Sequence, residues 1–141
     1  RQRQMCIRDR INIAGDGCFR MNMNELATAS RQKLPLIEVI VNNHVLGMVR
    51  QWQTLFYKQH YSATVLDDGV DYVKIAEAMG AAARRVTKEE FNAAFQDALE
   101  SKTQFVFDAI VDSDDKVWPK VAPGAPINEC FDGKDFESKN K

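Results

Sequence analysis

The stretch Leu36-Ile37-Glu38-Val39-Ile40-Val41 admits few environments. It is nearly unbroken apolar sequence, bounded by Pro35 on one side and Asn42-Asn43 on the other. A strand with one wet face alternates in polarity. A run like this one is covered on both faces, as the inner strands of parallel sheets are. Helices must therefore lie on either side of it, and the rest of the chain has to supply them.

The remaining pattern does so. Ile11-Asn12-Ile13-Ala14 is a short strand that stops at Gly15-Asp16-Gly17, and a helix is expected over about Met21 to Gln32. Gly47 to about Phe56 predicts a second helix with large apolar side chains, and residues 57–70 read as an irregular loop. Asp71 is placed to cap a helix whose apolar stripe is Tyr72, Ile75, Ala76 and Met79, with Gly80 as its stop. Arg84-Arg85-Val86 is a short strand. Thr87-Lys88-Glu89-Glu90 is a capping box opening a helix with Phe91, Ala94, Phe95, Ala98 and Leu99 on one face. Phe105 to Val111 is the last strand. Strands and helices alternating through short connections predict an α/β fold, a parallel sheet flanked by helices. From Asp112 onward, Pro119, Pro123, Gly124 and Pro126 predict an extended C-terminal arm lying over another surface, with residues 128–141 as a disordered tail.

At 141 residues this is one domain, and 45% apolar with 28% charged residues is an ordinary globular balance. The net charge of -1 gives no electrostatic case for nucleic acid or a membrane surface, and no apolar run approaches a membrane span. Cys6, Cys18 and Cys130 are widely spaced and odd in number, which favours free thiols in a reducing cytoplasm. With His44 and His60 the only histidines, no Cys/His metal cluster can be assembled. Arg1 to Arg10 carries a local charge of +3 and has neither signal-peptide nor transit-peptide character; it reads as a non-native segment, and the domain proper as residues 11–127.

Open parallel sheets bind ligands at the carboxyl ends of their strands. Two such ends stand out, Gly15-Asp16-Gly17 and Asn42-Asn43. If their strands are neighbours, Asp16 and Asn43 face one another. A carboxylate and an amide oxygen are hard ligands of the kind magnesium takes, with phosphate oxygens completing its shell. The glycines let backbone approach a phosphate, and N–H groups near Gly17 and Cys18 favour an anion. The same pieces are also an ordinary turn and an ordinary strand end. Dinucleotide and P-loop fingerprints are absent: Arg20 stands where the first needs glycine.

Asp16 and Asn43 are 27 positions apart, with a helix and an apolar strand between them. This resembles the thiamine-diphosphate motif that opens with Gly-Asp-Gly and closes with Asn-Asn. Within that class, Gly15 to Asn22 followed by Asn24 to Ala29, the segment Asn42 to Tyr57, and Val117-Trp118-Pro119-Lys120-Val121-Ala122-Pro123-Gly124 are similar to the acetolactate synthases. The resemblance covers Ile11 to about Ile127 and implies a thiamine-diphosphate-binding fold lacking its N-terminal part.

What the resemblance implies is specific. Asp16, the Asn43 side chain and the main-chain carbonyl of Val45 would bind Mg2+. Gly15, Gly17, Cys18, Gly47 and Met48 would touch thiamine diphosphate. Serine is common at position 18, so Cys18 would be a weaker side-chain donor. Met48 and Trp52 would line a pocket for the second keto acid; by spacing alone they are equally a pair packed on one helix face. Glu25, Arg84-Arg85 and Asp112, Asp114 and Asp115 read as solvated faces or caps. The implied reaction condenses pyruvate with a second 2-keto acid, pyruvate or 2-oxobutanoate, with loss of CO2, in branched-chain amino acid synthesis. FAD, a homodimer or higher oligomer and a regulatory small subunit belong to the complete enzyme, and these 141 residues alone are expected to be inactive, with no catalytic acid or base among them. The alternatives are another thiamine-diphosphate decarboxylase or carboligase, and a non-catalytic α/β binding module.

Overall fold

The computed structural model describes residues 10–66 and 69–135. The elements in chain order are β1 (Arg10–Gly15), α1 (Asp16–Asn22), α2 (Glu25–Arg31), β2 (Leu36–Asn42), α3 (Gly47–Phe56), α4 (Tyr72–Ala78), β3 (Ala82–Val86), α5 (Lys88–Ser101), β4 (Phe105–Ile110), β5 (Lys120–Val121) and β6 (Cys130–Phe131). Four strands form one sheet in the order β1-β2-β4-β3, every pair parallel. The apolar run is an inner strand, with Ile37, Val39 and Ile40 buried. The sheet divides the core in two. On one face Ile40 and Val106 pack with Phe19 and Leu26, and with Tyr72 and Ala76 of α4. On the other, Ile37, Val39 and Phe107 pack with Ala94 and Ala98, flanked by Phe91 and Phe95.

The helix ends follow local chemistry. Asp71 accepts the Lys74 N–H at 3.3 Å and caps α4, and Gly80 beyond it takes φ +88°. The capping box of α5 forms, with Glu90 accepting both the N–H and the hydroxyl of Thr87.

Three expectations need correction. The helix expected over Met21–Gln32 is two short helices, and the first begins at Asp16 directly after β1. At the break, Leu26 and Ala27 donate to Met23 and Asn24, three residues back, so the chain tightens into a 3₁₀-like turn over residues 23–27. Asparagine disfavours a helix interior because its side chain competes for backbone hydrogen bonds. Second, the arm is not simply extended. It folds back so that β5 pairs antiparallel with β6, Lys120 opposite Phe131. Trp118 and Phe56 both make edge contacts with Phe131, and Gln51 grips the Val117 peptide, donating to its carbonyl at 3.0 Å and accepting its N–H at 3.1 Å. The stretch from residue 128, expected to be disordered, thus carries β6; residues 136–141 lie outside the described ones. Third, Arg10 belongs to β1 and pairs with Leu36, while the rest of the segment expected to be non-native lies outside the described residues.

Candidate functional site

Strands β1 and β2 are neighbours, with Gly15 beside Val41, so both turns singled out by sequence open on the same carboxyl edge. Asp16 enters α1 as its first residue and is 2% exposed. Its Oδ1 accepts the Gly17 N–H at 2.8 Å. Its Oδ2 is buried with no hydrogen-bond partner among the described residues. An unmatched buried carboxylate oxygen costs at least about 1–3 kcal/mol, and a bound cation removes that cost.

The second turn is tightly specified. Asn43 Oδ1 accepts the Val45 N–H at 3.2 Å. His44 between them has φ +57°. Asn42 is buried; its Oδ1 accepts the His44 N–H at 3.2 Å and its Nδ2 donates to Asp108 at 2.8 Å. Val45 bridges to Val65 through the Leu46 N–H and the His44 carbonyl, bonds that leave the Val45 carbonyl out. Gly17 meets the second turn closely, and Gly47 leaves room for Asn43 within it. A Cβ on Gly17 would stand 2.7 Å from Leu46 Cδ2, and one on Gly47 2.7 Å from Asn43 Nδ2. Gly15, Asp16, Gly17, Asn43, Val45 and Gly47 are thus gathered at one edge, and Cys18 is exposed beside them.

Met48 and Trp52 lie further along α3. They line an open groove of about 680 Å³ with Val49, Phe56 and Tyr57, and Met48 is 56% exposed. Within these residues Met48 is therefore not part of the core. A second hollow of about 370 Å³ is lined by Asn43, His44, Val45, Arg50 and Ser113.

The largest feature not legible in the sequence is a polar chain across the sheet. Asp108, wholly buried on β4, accepts from Asn42 and, at 2.8 Å, from Arg85 Nε; Arg85 reaches on to Asp71 at 3.3 Å. Arg85 is exposed, as expected of a solvated face, and its guanidinium is held above the usual value by bonding to Asp108. Asp114 pairs with Arg50 at 2.9 Å, and its carboxyl is held below the usual range by that bond. The signal for Asp108 was present, since a carboxylate inside an apolar strand needs a partner. The partner itself lay 66 residues away.

Edge, ligand types and fold define a cofactor-binding domain, and comparison with known proteins gives its class. Residues 4–109 match the family described as "Thiamine pyrophosphate enzyme, C-terminal TPP binding domain". The chain belongs to this family. Curated relatives bear a more particular name. The acetolactate synthase isozyme 2 large subunit of Escherichia coli is 41% identical over 85% of this chain and 22% of its own length. The acetolactate synthase large subunit of Corynebacterium glutamicum is 46% identical over 80% of this chain and 19% of its own. The chain therefore spans about a fifth of the relatives it matches. Among solved structures, benzoylformate decarboxylase from Polynucleobacter necessarius aligns with a TM-score of 0.68 at 27% identity, covering 75% of this chain and 20% of that one. Among the described residues no helix is long and apolar enough to cross a membrane.

Proposed function

We propose that these residues form the C-terminal, cofactor-binding part of an acetolactate synthase large subunit. The reaction is condensation of pyruvate with pyruvate or 2-oxobutanoate with loss of CO2. The observation that carries the reading is the buried, unpartnered Oδ2 of Asp16, on the same sheet edge as Asn43 and Val45. One carboxylate, one amide oxygen and one main-chain carbonyl are a donor set suited to Mg2+ and not to a softer metal. Asp16, Asn43 Oδ1 and the Val45 carbonyl would hold Mg2+ against a diphosphate, with backbone at Gly15, Gly17, Cys18, Gly47 and Met48 beside it. Thiamine diphosphate, when bound, supplies the electron sink for decarboxylation and carbon–carbon bond formation.

The chain's own groups do the rest. Gly17 permits the close approach of the two turns, and Gly47 leaves room for the Asn43 amide. Met48 and Trp52 offer a largely apolar groove that sorts the second keto acid by size. Relatives named as acetolactate synthases support the choice of reaction. Solved neighbours named as benzoylformate decarboxylases keep a decarboxylase as the second reading. In the complete cytoplasmic enzyme, a homodimer or higher oligomer that a regulatory small subunit can join, FAD binds mainly outside these residues.

The test uses the complete enzyme with pyruvate, thiamine diphosphate, Mg2+ and FAD, reading acetolactate and acetaldehyde together. Acetolactate formation, lost in Asp16→Ala along with Mg2+-dependent cofactor binding, is expected. Acetaldehyde alone moves the enzyme to the decarboxylases, and unimpaired binding by Asp16→Ala ends the metal assignment. The 141 residues by themselves are expected to turn over no pyruvate.

A further inference from the structure

Resting on the cation site just proposed, we infer that Asp108 is a positioning residue for the turn that presents Asn43 and Val45, and that it acts through Asn42. Asp108 Oδ1 takes the Asn42 amide hydrogen at 2.8 Å, and its Oδ2 is saturated by Arg85 Nε at the same distance. This leaves Asn42 one orientation. Its Oδ1 must point at the His44 N–H, 3.2 Å away, while its carbonyl accepts the Val111 N–H at 3.0 Å. His44 is the residue between the two positions assigned to the cation. At φ +57° it occupies a region uncommon for residues bearing a Cβ. The bond from Asn42 holds it there, and so sets where Asn43 Oδ1 and the Val45 carbonyl stand.

Bonding, not packing, accounts for the charge. Arg85 is half exposed, so only the Asp108 end of the pair is buried. Val106 and Phe107 on β4 are apolar and completely buried, so packing of the sheet does not call for a carboxylate at 108; the bonds to Asn42 and Arg85 do. The carboxylate instead lies one bond from the Asn42 side chain, which touches the turn directly. Partners behind a metal's own ligands orient those ligands, and their loss lowers metal affinity roughly 10–100-fold.

The experiment titrates Mg2+ into the complete enzyme at fixed thiamine diphosphate, following quenching of tryptophan fluorescence. No turnover is required. Asp108→Leu is expected to raise half-saturating Mg2+ by roughly 10–100-fold. Asn42→Ala, a smaller perturbation that reports if Asp108→Leu does not fold, is expected to do the same. Asp108→Asn keeps an acceptor for Asn42 and should recover most of the affinity. Val106→Ala, buried on the same face of β4, should lower thermal stability and leave half-saturation unchanged. Wild-type half-saturation in a folded Asp108→Leu or in Asn42→Ala overturns the inference. So does an equal loss in Val106→Ala, which would reduce the effect to general loosening. Asp16→Ala separates the two levels. If it binds Mg2+ as wild type, the site assignment has failed; if it alone loses binding, only the role of Asp108 has.

Discussion

A single methyl group at position 47 sets two effects against each other. Gly47 is the first residue of α3, and replacing glycine by alanine in a helix ordinarily gains about 0.5–1 kcal/mol. Here the new Cβ would sit 2.7 Å from Asn43 Nδ2, so Asn43 has to turn away. Gly47→Ala is expected to fold with little change in melting temperature yet need more Mg2+ for cofactor binding, measured by the same fluorescence titration. Glu38 gives a residue-scale prediction in pH. Burial pushes its carboxyl above the usual value, and the Asn12 amide bonding both its oxygens pulls it partly back. The folded state therefore holds this proton more tightly than the unfolded chain does. The stability it contributes is complete below the unfolded carboxyl value and is lost as pH rises through the folded one. Glu38→Gln should melt higher than wild type at neutral pH, with the difference shrinking on acidification. At this scale the sequence was informative where chemistry is local. Gly15, Asp16, Gly17 and Asn43 stand out by type and spacing. The bond between Asn42 and Asp108 does not, because it depends on how β2 and β4 register, Ile40 beside Asp108.

Among the elements, α5 and β4 share a cluster of aromatic rings. Phe91 stacks on Phe95 at 5.4 Å, and Phe107 meets Phe91 at 5.6 Å and Phe105 at 4.6 Å. Phe107→Ala empties the centre of that cluster and is expected to cost about 3–5 kcal/mol, read from the urea midpoint. The strength of this unit explains why its sequence was easy to read. Its cap and following strand agree, its stripe agrees except at Leu99, which is exposed, and α3 ran from Gly47 to Phe56 as its pattern predicted. The pieces that misled are those set by distant partners. α1 starts at Asp16 because Gly15 still belongs to β1, so the Gly-Asp-Gly segment is a strand-to-helix junction with no loop. The arm turns back because Phe131 finds Trp118 and Phe56, a contact spanning 75 residues that no local pattern announces.

Taken whole, the molecule is asymmetric about its sheet. Among the described residues β1 pairs on one side only, and Ile11 and Ile13 on it are 49% and 70% exposed. An apolar edge strand with free backbone groups is a template for association. The 141 residues expressed alone are expected to self-associate, and Ile13→Lys should lower light scattering at equal concentration without shifting the unfolding midpoint. The parallel α/β architecture was legible because its inner strand is so uniformly apolar. The open side of β1 was not, since Ile11 and Ile13 look like any buried pair until their neighbours are known.

The grip of Gln51 on Val117 makes α3 and the arm a single lever. The amide is 4% exposed, and the Val117 peptide satisfies both its ends. Peeling the arm away would break both bonds at once. Whatever tugs on the residues after β4 therefore pulls on the helical turn that bears Met48 and Trp52, and the width of the groove becomes a gauge of tension in a segment that never enters it.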